Sequence, residues 1–109
     1  MIPFPVIRPA TLADIPGILS VVEASAQNGS TAESLTAAIE DPARMVVVAE
    51  SAGRIVGWGK THVFDSPSGL APAGQYLGGV CVLPTWRRHG VGAALSQARV
   101  DWIFDRADV

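Results

Sequence analysis

Arg87, Arg88 and His89 stand directly before Gly90-Val91-Gly92, at the point where the hydrophobic pattern predicts the start of a helix. The N-terminal end of a helix carries partial positive charge and favours acidic neighbours. Two arginines at this position are therefore unfavourable unless an anion lies between them and the backbone amides. Glycine lets a phosphate approach the chain closely, and the first helical amides have no partner within the helix. The segment predicts a phosphate-binding turn, with solvated surface charge as the alternative interpretation of the arginines.

Glycine-rich phosphate loops of three kinds have sequence patterns that this turn could match. A dinucleotide fingerprint requires a third small residue where this chain has Leu95. A nucleoside-triphosphate loop requires Gly-Lys-Ser or Gly-Lys-Thr, and the sequence contains neither. The acyl-CoA pyrophosphate loop has the pattern Gln/Arg-x-x-Gly-x-Gly/Ala, which Arg87 to Gly92 satisfies, with Ala93 following. This third pattern is the one that the residues match.

The elements around the turn follow from periodicity and from turn residues. An apolar run predicts a strand over Tyr76–Leu83, stopped by Pro84, and apolar residues at helical spacing predict a helix from Gly90 to about Arg106. Further strands are predicted at Val6–Arg8, Met45–Glu50 and Ile55–Phe64. Two helices between the first two strands are predicted to begin at capping residues, Thr11 for the first and the segment Ser30-Thr31-Ala32-Glu33 for the second. The predicted order is β-α-α-β-β-β-α.

Length and composition limit the class of protein. A chain of 109 residues, 49% hydrophobic and 17% charged, is long enough for one globular domain. The net charge of −2 argues against nucleic acid or an anionic membrane as a partner. The proline-broken N-terminus lacks the apolar run of a signal peptide or membrane anchor. The single Cys81 either fits a reducing cytoplasm or carries no information about the compartment.

The segment GGVCVLPTWRRHGVGAAL resembles the acetyl-CoA-binding core of the GNAT superfamily of N-acetyltransferases. VIRPATLADIPGIL is similar to that family's first strand and helix, and MVVVAESAGRIVGWGKTHV to its second and third strands. The resemblance runs from Val6 onwards. It implies an α/β fold in which helices flank a mixed, mostly antiparallel sheet.

The resemblance also implies positions for acetyl-CoA, the acetyl donor. Backbone groups of a short stretch of the fourth strand would pair with the pantetheine arm, and the backbone amides after Arg87 would hold the pyrophosphate, with Arg87 in the family's Gln/Arg position. The strand residues are Val80, Cys81 and Val82, and the loop residues are Arg88, His89, Gly90, Val91, Gly92 and Ala93. The implied reaction moves an acetyl group to a primary amine of a small molecule or a protein.

The sequence departs from the family pattern in two places. The stretch from Tyr76 to Val80 has no carboxylate to serve as general base, and no tyrosine follows the long helix. No catalytic side chain is therefore assigned, and the alternative function is a catalytically silent acyl-CoA-binding or interaction fragment. Residues 1–109 are also expected to form a single but incomplete domain, lacking its C-terminal strands. Such a domain would self-associate through its open edge or be accompanied by a complementary C-terminal segment.

Three other residues with chemical potential have less specific interpretations. Cys81 lies in the middle of a strand and is expected to be a buried apolar residue, not a nucleophile. His62 and His89 lack the spacing of metal ligands, so no metal site is expected. His89 is placed to contact a phosphate, whereas His62 is expected in the core or in the wall of a pocket.

Overall fold

The structure is a computed structural model, and it describes residues 4–25, 30–42, 44–64 and 74–106. The helices and strands follow the predicted order, with two short 3₁₀ turns in addition, at Leu12–Asp14 and Pro84–Trp86. They are β1 (Val6–Pro9), α1 (Ile15–Ala24), α2 (Ala32–Glu40), β2 (Val46–Ser51), β3 (Arg54–Phe64), β4 (Gly74–Val82) and α3 (Val91–Arg106). The predicted loop after Asp65 lies outside the described residues, as does the predicted helix break at Asn28-Gly29.

The strands form one sheet in the order β1-β2-β3-β4. Each described pairing is antiparallel, so the expectation of an α/β fold with a mostly antiparallel sheet is confirmed. Within the described residues, β4 and β1 are the two edges of this sheet. The edge formed by β4 leads directly into the predicted phosphate turn.

Capping residues precede the first two helices, and at α2 the cap is Thr31 of the predicted segment with Ser34 as its partner. The Thr11 amide donates to the Asp14 carboxylate at 2.7 Å, just before α1. At α2, the Ser34 amide donates to the Thr31 hydroxyl at 3.1 Å, and the Thr31 amide donates to the Ser34 hydroxyl at 2.9 Å. Capping of this kind satisfies amides that have no partner within the helix.

The helices α1 and α3 cover opposite faces of the sheet. On one face, the Cys81 thiol lies 3.8 Å from the carbonyl oxygen of Val21 in α1. On the other face, a Cβ built on Gly57 would lie 3.1 Å from Leu95 of α3. The absence of a side chain at this glycine allows α3 to approach β3 closely. The buried core therefore lies on both sides of the sheet, and the cysteine is a buried apolar residue, as expected.

A β-bulge interrupts the pairing of β3 with β4. Gly59 pairs with Val80, but the next regular pair is Thr61 with Leu77. Two steps along β3 thus correspond to three along β4, so Lys60 faces two residues, Gly78 and Gly79. A bulge locally bends its strand and leaves one residue outside the ladder. The bend in β4 lies just before the stretch predicted to contact pantetheine.

Candidate functional site

The turn between β4 and α3 begins with a short 3₁₀ helix that the sequence reading missed. The amide of Trp86 donates to the carbonyl of Leu83 at 2.8 Å, and that of Arg87 donates to Pro84 at 3.3 Å. Proline at the first position of such a turn costs no hydrogen bond. This compact turn fixes the direction in which the chain leaves β4.

Two residues of the turn adopt the left-handed conformation. Arg88 has φ of 67° and Gly90 has φ of 83°. Glycine adopts this conformation freely, whereas an L side chain costs roughly 1–2 kcal/mol there. A non-glycine residue held at positive φ is uncommon and marks a position worth a functional hypothesis. The alternation of left-handed and ordinary residues turns successive amides toward a common point.

The helix α3 begins at Val91, one residue after the start that the sequence predicts at Gly90. The amide of Ala94 donates to the carbonyl of Gly90 at 3.0 Å, which closes the first helical turn. The amides of the three preceding residues lie within that turn, where a helix offers no carbonyl partner. No acidic residue lies in this first turn. The helix end is therefore open to an anion, and Val91 is buried beneath it.

The basic side chains of the turn are exposed, and two of them have described contacts. The Arg87 Nε donates to the carbonyl oxygen of Val82 at 3.2 Å. The imidazole of His89 stands edge-on to the Trp86 indole, with ring centroids 6.4 Å apart. Arg88 is also exposed. The positive charge of the turn is thus accessible to an anion in solution.

The predicted strand residues lie where the turn begins. Hydrogen bonding in an antiparallel pair alternates, so successive residues direct their backbone groups to opposite sides. The amide of Leu83 donates to Val56 of β3 at 2.8 Å, so Leu83 faces inward. By the same alternation Cys81 faces β3, whereas Val80 and Val82 direct their amides and carbonyls to the outer edge. The outer edge therefore offers the backbone of the two valines and not that of the cysteine.

Phe4 stands beside the turn on the N-terminal side. A Cβ built on Gly90 would lie 3.8 Å from its ring, which is ordinary van der Waals contact. The Phe4 side chain is 54% exposed. Space alone would thus allow a side chain at Gly90, and its positive φ is what favours glycine.

Arg99 is a candidate residue that the sequence alone did not indicate. The structure buries Arg99, which is 2% exposed, and leaves Ala98 partly buried. Burial lowers the pKa of the Arg99 guanidinium. The sequence does contain a signal for this burial: Arg99 follows Val91 and Leu95 at intervals of four residues, which places it on the apolar face of the helix.

An open cavity of about 350 Å³ lies apart from the turn, between α1 and the β2–β3 connection. Asp14 and Glu50 contribute carboxylates to its lining, and both accept hydrogen bonds from Arg8. These charges are already compensated within the protein. Arg54, an exposed residue, adds a positive charge to the same lining.

The ranges of residues that the structure describes contain neither a cluster of metal ligands nor a membrane-spanning helix. Among them, no three of the His, Cys, Asp and Glu side chains gather as metal ligands would. None of the helices in these ranges is long and apolar enough to cross a bilayer. The side chains of His62 and of the loop around Asp65 lie outside the described part of the chain.

The comparisons with known proteins agree with this geometry. The family model described as "Acetyltransferase (GNAT) family" matches residues 17–109. Among solved structures, the aminoglycoside 6'-N-acetyltransferase AAC(6')-Ih from Acinetobacter baumannii superposes with a TM-score of 0.77 at 17% identity, covering 95% of this chain and 74% of that one. An acetyltransferase from Vibrio fischeri superposes with a TM-score of 0.70 at 25% identity, covering 93% of this chain and 88% of that one. The aminoglycoside N-acetyltransferase AAC(6')-Iy, solved in complex with CoA, superposes with a TM-score of 0.75 at 16% identity, covering 94% of this chain and 72% of that one. No curated protein sequence matches the chain.

The family model and the fold together define an acetyltransferase domain. The chain belongs to the acetyltransferase (GNAT) family. The family and the fold expected from the sequence are both confirmed, as is the class of enzyme, an N-acetyltransferase.

Proposed function

We propose that this chain binds acetyl-CoA along β4 and at the turn from Arg87 to Ala93, and transfers the acetyl group to a primary amine. The observation that carries the proposal is the left-handed pair Arg88 and Gly90 in front of the open end of α3. The acceptor is proposed to be an amine of a small molecule or of a protein. Its identity would be set by residues outside the donor site.

The turn fits a pyrophosphate in both charge and shape. Helix N-termini and successive backbone amides in left-handed turns bind anions. The amides from Arg88 to Ala93 are proposed to donate to the phosphate oxygens, and the exposed guanidinium of Arg88 to add positive charge. His89 lies close enough in sequence to contact the same anion. The conformation needed for this exists in the protein without a ligand, so little ordering would accompany binding.

The outer edge of β4 fits the pantetheine arm, whose amides can pair with a strand as another strand would. Val80 and Val82 are the proposed partners because their backbone groups face outward. The carbonyl of Val82 already accepts from Arg87, and a carbonyl oxygen has a second lone pair for another donor. Cys81 contributes through packing on the α1 face and not through its backbone.

Acetyl-CoA supplies an activated thioester. The carbon–nitrogen bond to the acceptor forms as the carbon–sulfur bond breaks, and the proton lost by the amine balances the charge of the released thiolate. The protein's proposed part is to orient the thioester and to donate hydrogen bonds to the carbonyl oxygen as its charge develops. The bulge at Gly78-Gly79 is placed to do this, since a bulge turns backbone groups out of the ladder.

A catalytically silent acyl-CoA-binding domain is the second candidate. It is favoured by the composition of β4, which carries no carboxylate between Gly74 and Val82 to serve as a general base. This strand can still hold a donor, because pairing with pantetheine uses backbone groups alone.

Calorimetry with CoA and acetyl-transfer assays with a panel of amines together test the two candidates. Binding of CoA with acetyl transfer to at least one amine would support the enzyme. Binding without transfer to any amine or protein lysate would support the silent domain. Absence of CoA binding by the folded chain would contradict both.

A further inference from the structure

Arg99 is a charged residue at a position where a helix ordinarily places an apolar one. It is 2% exposed and lies on the face of α3 that carries Val91 and Leu95, which are 1% and 0% exposed. Arginine is almost never buried to this extent unless its donors are engaged. The residue therefore has a specific role on this face.

The contacts of the guanidinium identify what it holds. Its Nη1 donates to the carbonyl oxygen of Lys60 in β3 at 2.8 Å, and its Nη2 donates to the Ser96 hydroxyl at 3.2 Å. Gly59 lies against the group, because a Cβ there would lie 3.4 Å from both Cζ and Nε of Arg99 and 3.0 Å from Cγ1 of Val80. A charged donor to a buried carbonyl forms one of the stronger hydrogen bonds in proteins.

The carbonyl that Arg99 holds is the one opposite the bulge. Lys60 lies between Gly59, which pairs with Val80, and Thr61, which pairs with Leu77. The amide of Thr61 donates to Met45 of β2, so the alternation directs the backbone of Lys60 toward β4. Arg99 thus bonds the backbone of β3 at the place where the β3–β4 ladder changes register.

We propose that Arg99 is a positioning residue for acetyl transfer: by holding the Lys60 carbonyl it fixes the β4 bulge next to Val80, and with it the thioester of acetyl-CoA. This inference rests on the proposed function. The pyrophosphate turn leads into the start of α3 at Val91, about 12 Å along the helix from Arg99. Loss of Arg99 should therefore misplace the reacting carbonyl without releasing the nucleotide.

The test compares two variants with the parent chain. Arg99→Met removes the hydrogen bonds and the charge at similar length, whereas Arg99→Lys keeps the charge on one nitrogen in place of the guanidinium's three. Gln97→Met is the matched control, an exposed position on the same helix. Melting temperature, calorimetric Kd for CoA, and kcat and KM for acetyl-CoA are measured for each, well below the lowest melting temperature.

Arg99→Met is expected to lower kcat by roughly tenfold or more, in line with the cost of small misplacements, with a Kd for CoA within about twofold of the parent. Arg99→Lys should restore part of kcat, and Gln97→Met should match the parent. An unchanged kcat in folded Arg99→Met would overturn the proposal. So would equal losses of kcat and CoA affinity that follow the loss of stability, since that is the behaviour of a purely structural residue.

Amide chemical shifts of Gly78, Gly79 and Val80 give a readout that does not depend on turnover. In the parent, the chemical shifts of these amides should differ between the complex with CoA and the complex with acetyl-CoA. Arg99→Met should remove that difference. If the parent binds CoA but transfers no acetyl group, the proposed enzyme fails while this readout still tests the positioning. Identical acetyl-dependent shifts in parent and variant would contradict the inference.

Discussion

The Nε of Arg87 donates a hydrogen bond to the carbonyl oxygen of Val82 at 3.2 Å, which ties the first residue of the turn to the last residue of β4. This contact closes the segment between strand and helix around Pro84–Trp86. Arg87 therefore holds the turn in place without a ligand, and its exposed guanidinium adds to the positive charge of Arg88. A site ordered before binding loses less conformational entropy when the ligand arrives.

Gly90 is predicted to be required for CoA binding because of its backbone conformation. Gly90→Val would force a β-branched residue to φ of 83°, at a cost of roughly 1–2 kcal/mol or a change in the direction of the amides. Calorimetry should show at least about tenfold weaker CoA binding. The matched control is Gly53→Val, at φ of 80° in the β2–β3 turn. It should lose similar stability and keep the parent's affinity, and equal affinity in both folded variants would contradict the assignment of the turn.

Arg88 is predicted to lower folding stability and to strengthen CoA binding. Arg88→Gly should relieve the strain of the left-handed conformation, which stabilises the folded state. Glycine also increases the entropy of the unfolded chain, which costs about 0.4–1 kcal/mol, so the melting temperature should rise slightly or stay unchanged. CoA binding should weaken because the charge is lost. Ala52→Gly, at φ of 51°, is the matched control and should have the same effect on stability with none on affinity. If Arg88→Gly lost stability and retained affinity, Arg88 would instead be a structural residue.

Asp14 is predicted to make folding stability depend on acid pH. Hydrogen bonds from Arg8 at 2.8 and 2.9 Å are the main cause that lowers the pKa of Asp14 from 3.8 to about 2. A carboxyl with a lowered folded pKa stabilises the fold fully above its unfolded pKa. That contribution, about 2 kcal/mol by linkage, is lost as the pH falls from about 4 to about 2.

Urea unfolding of the parent and of Asp14→Asn across this range measures the effect. The difference in unfolding free energy between the two proteins should shrink as the pH falls below 4. Asp101→Asn, at an exposed position of α3, serves as the control and should follow the parent. A difference between parent and Asp14→Asn that stayed constant from pH 6 to pH 2 would show that the ionised form of Asp14 is not the stabilising species.

The sequence predicted the elements well because each carries its own local determinants. The cap at Thr11, the apolar run of β2 and the glycines before α3 act through neighbouring residues, so spacing alone shows them. The buried Arg99 could not be predicted in this way. Its burial depends on a bulge between two strands and on a glycine about forty residues earlier, and such contacts appear only after the chain has folded.

The outer edge of β4 is predicted to bind either CoA or a second strand. Val80 and Val82 direct backbone donors and acceptors outward, and exposed edges of this kind pair with other chains. Sedimentation at several concentrations should show association that saturating CoA reduces, because both partners use the same groups. Val80→Pro removes an outward amide that the β3 ladder does not use, so it should reduce association and weaken CoA binding in a folded chain. Intact-mass analysis would detect any complementary segment that co-purifies. A single monomeric species at every concentration, unaffected by CoA and unfolding cooperatively, would contradict the prediction and indicate that this edge is covered within the chain.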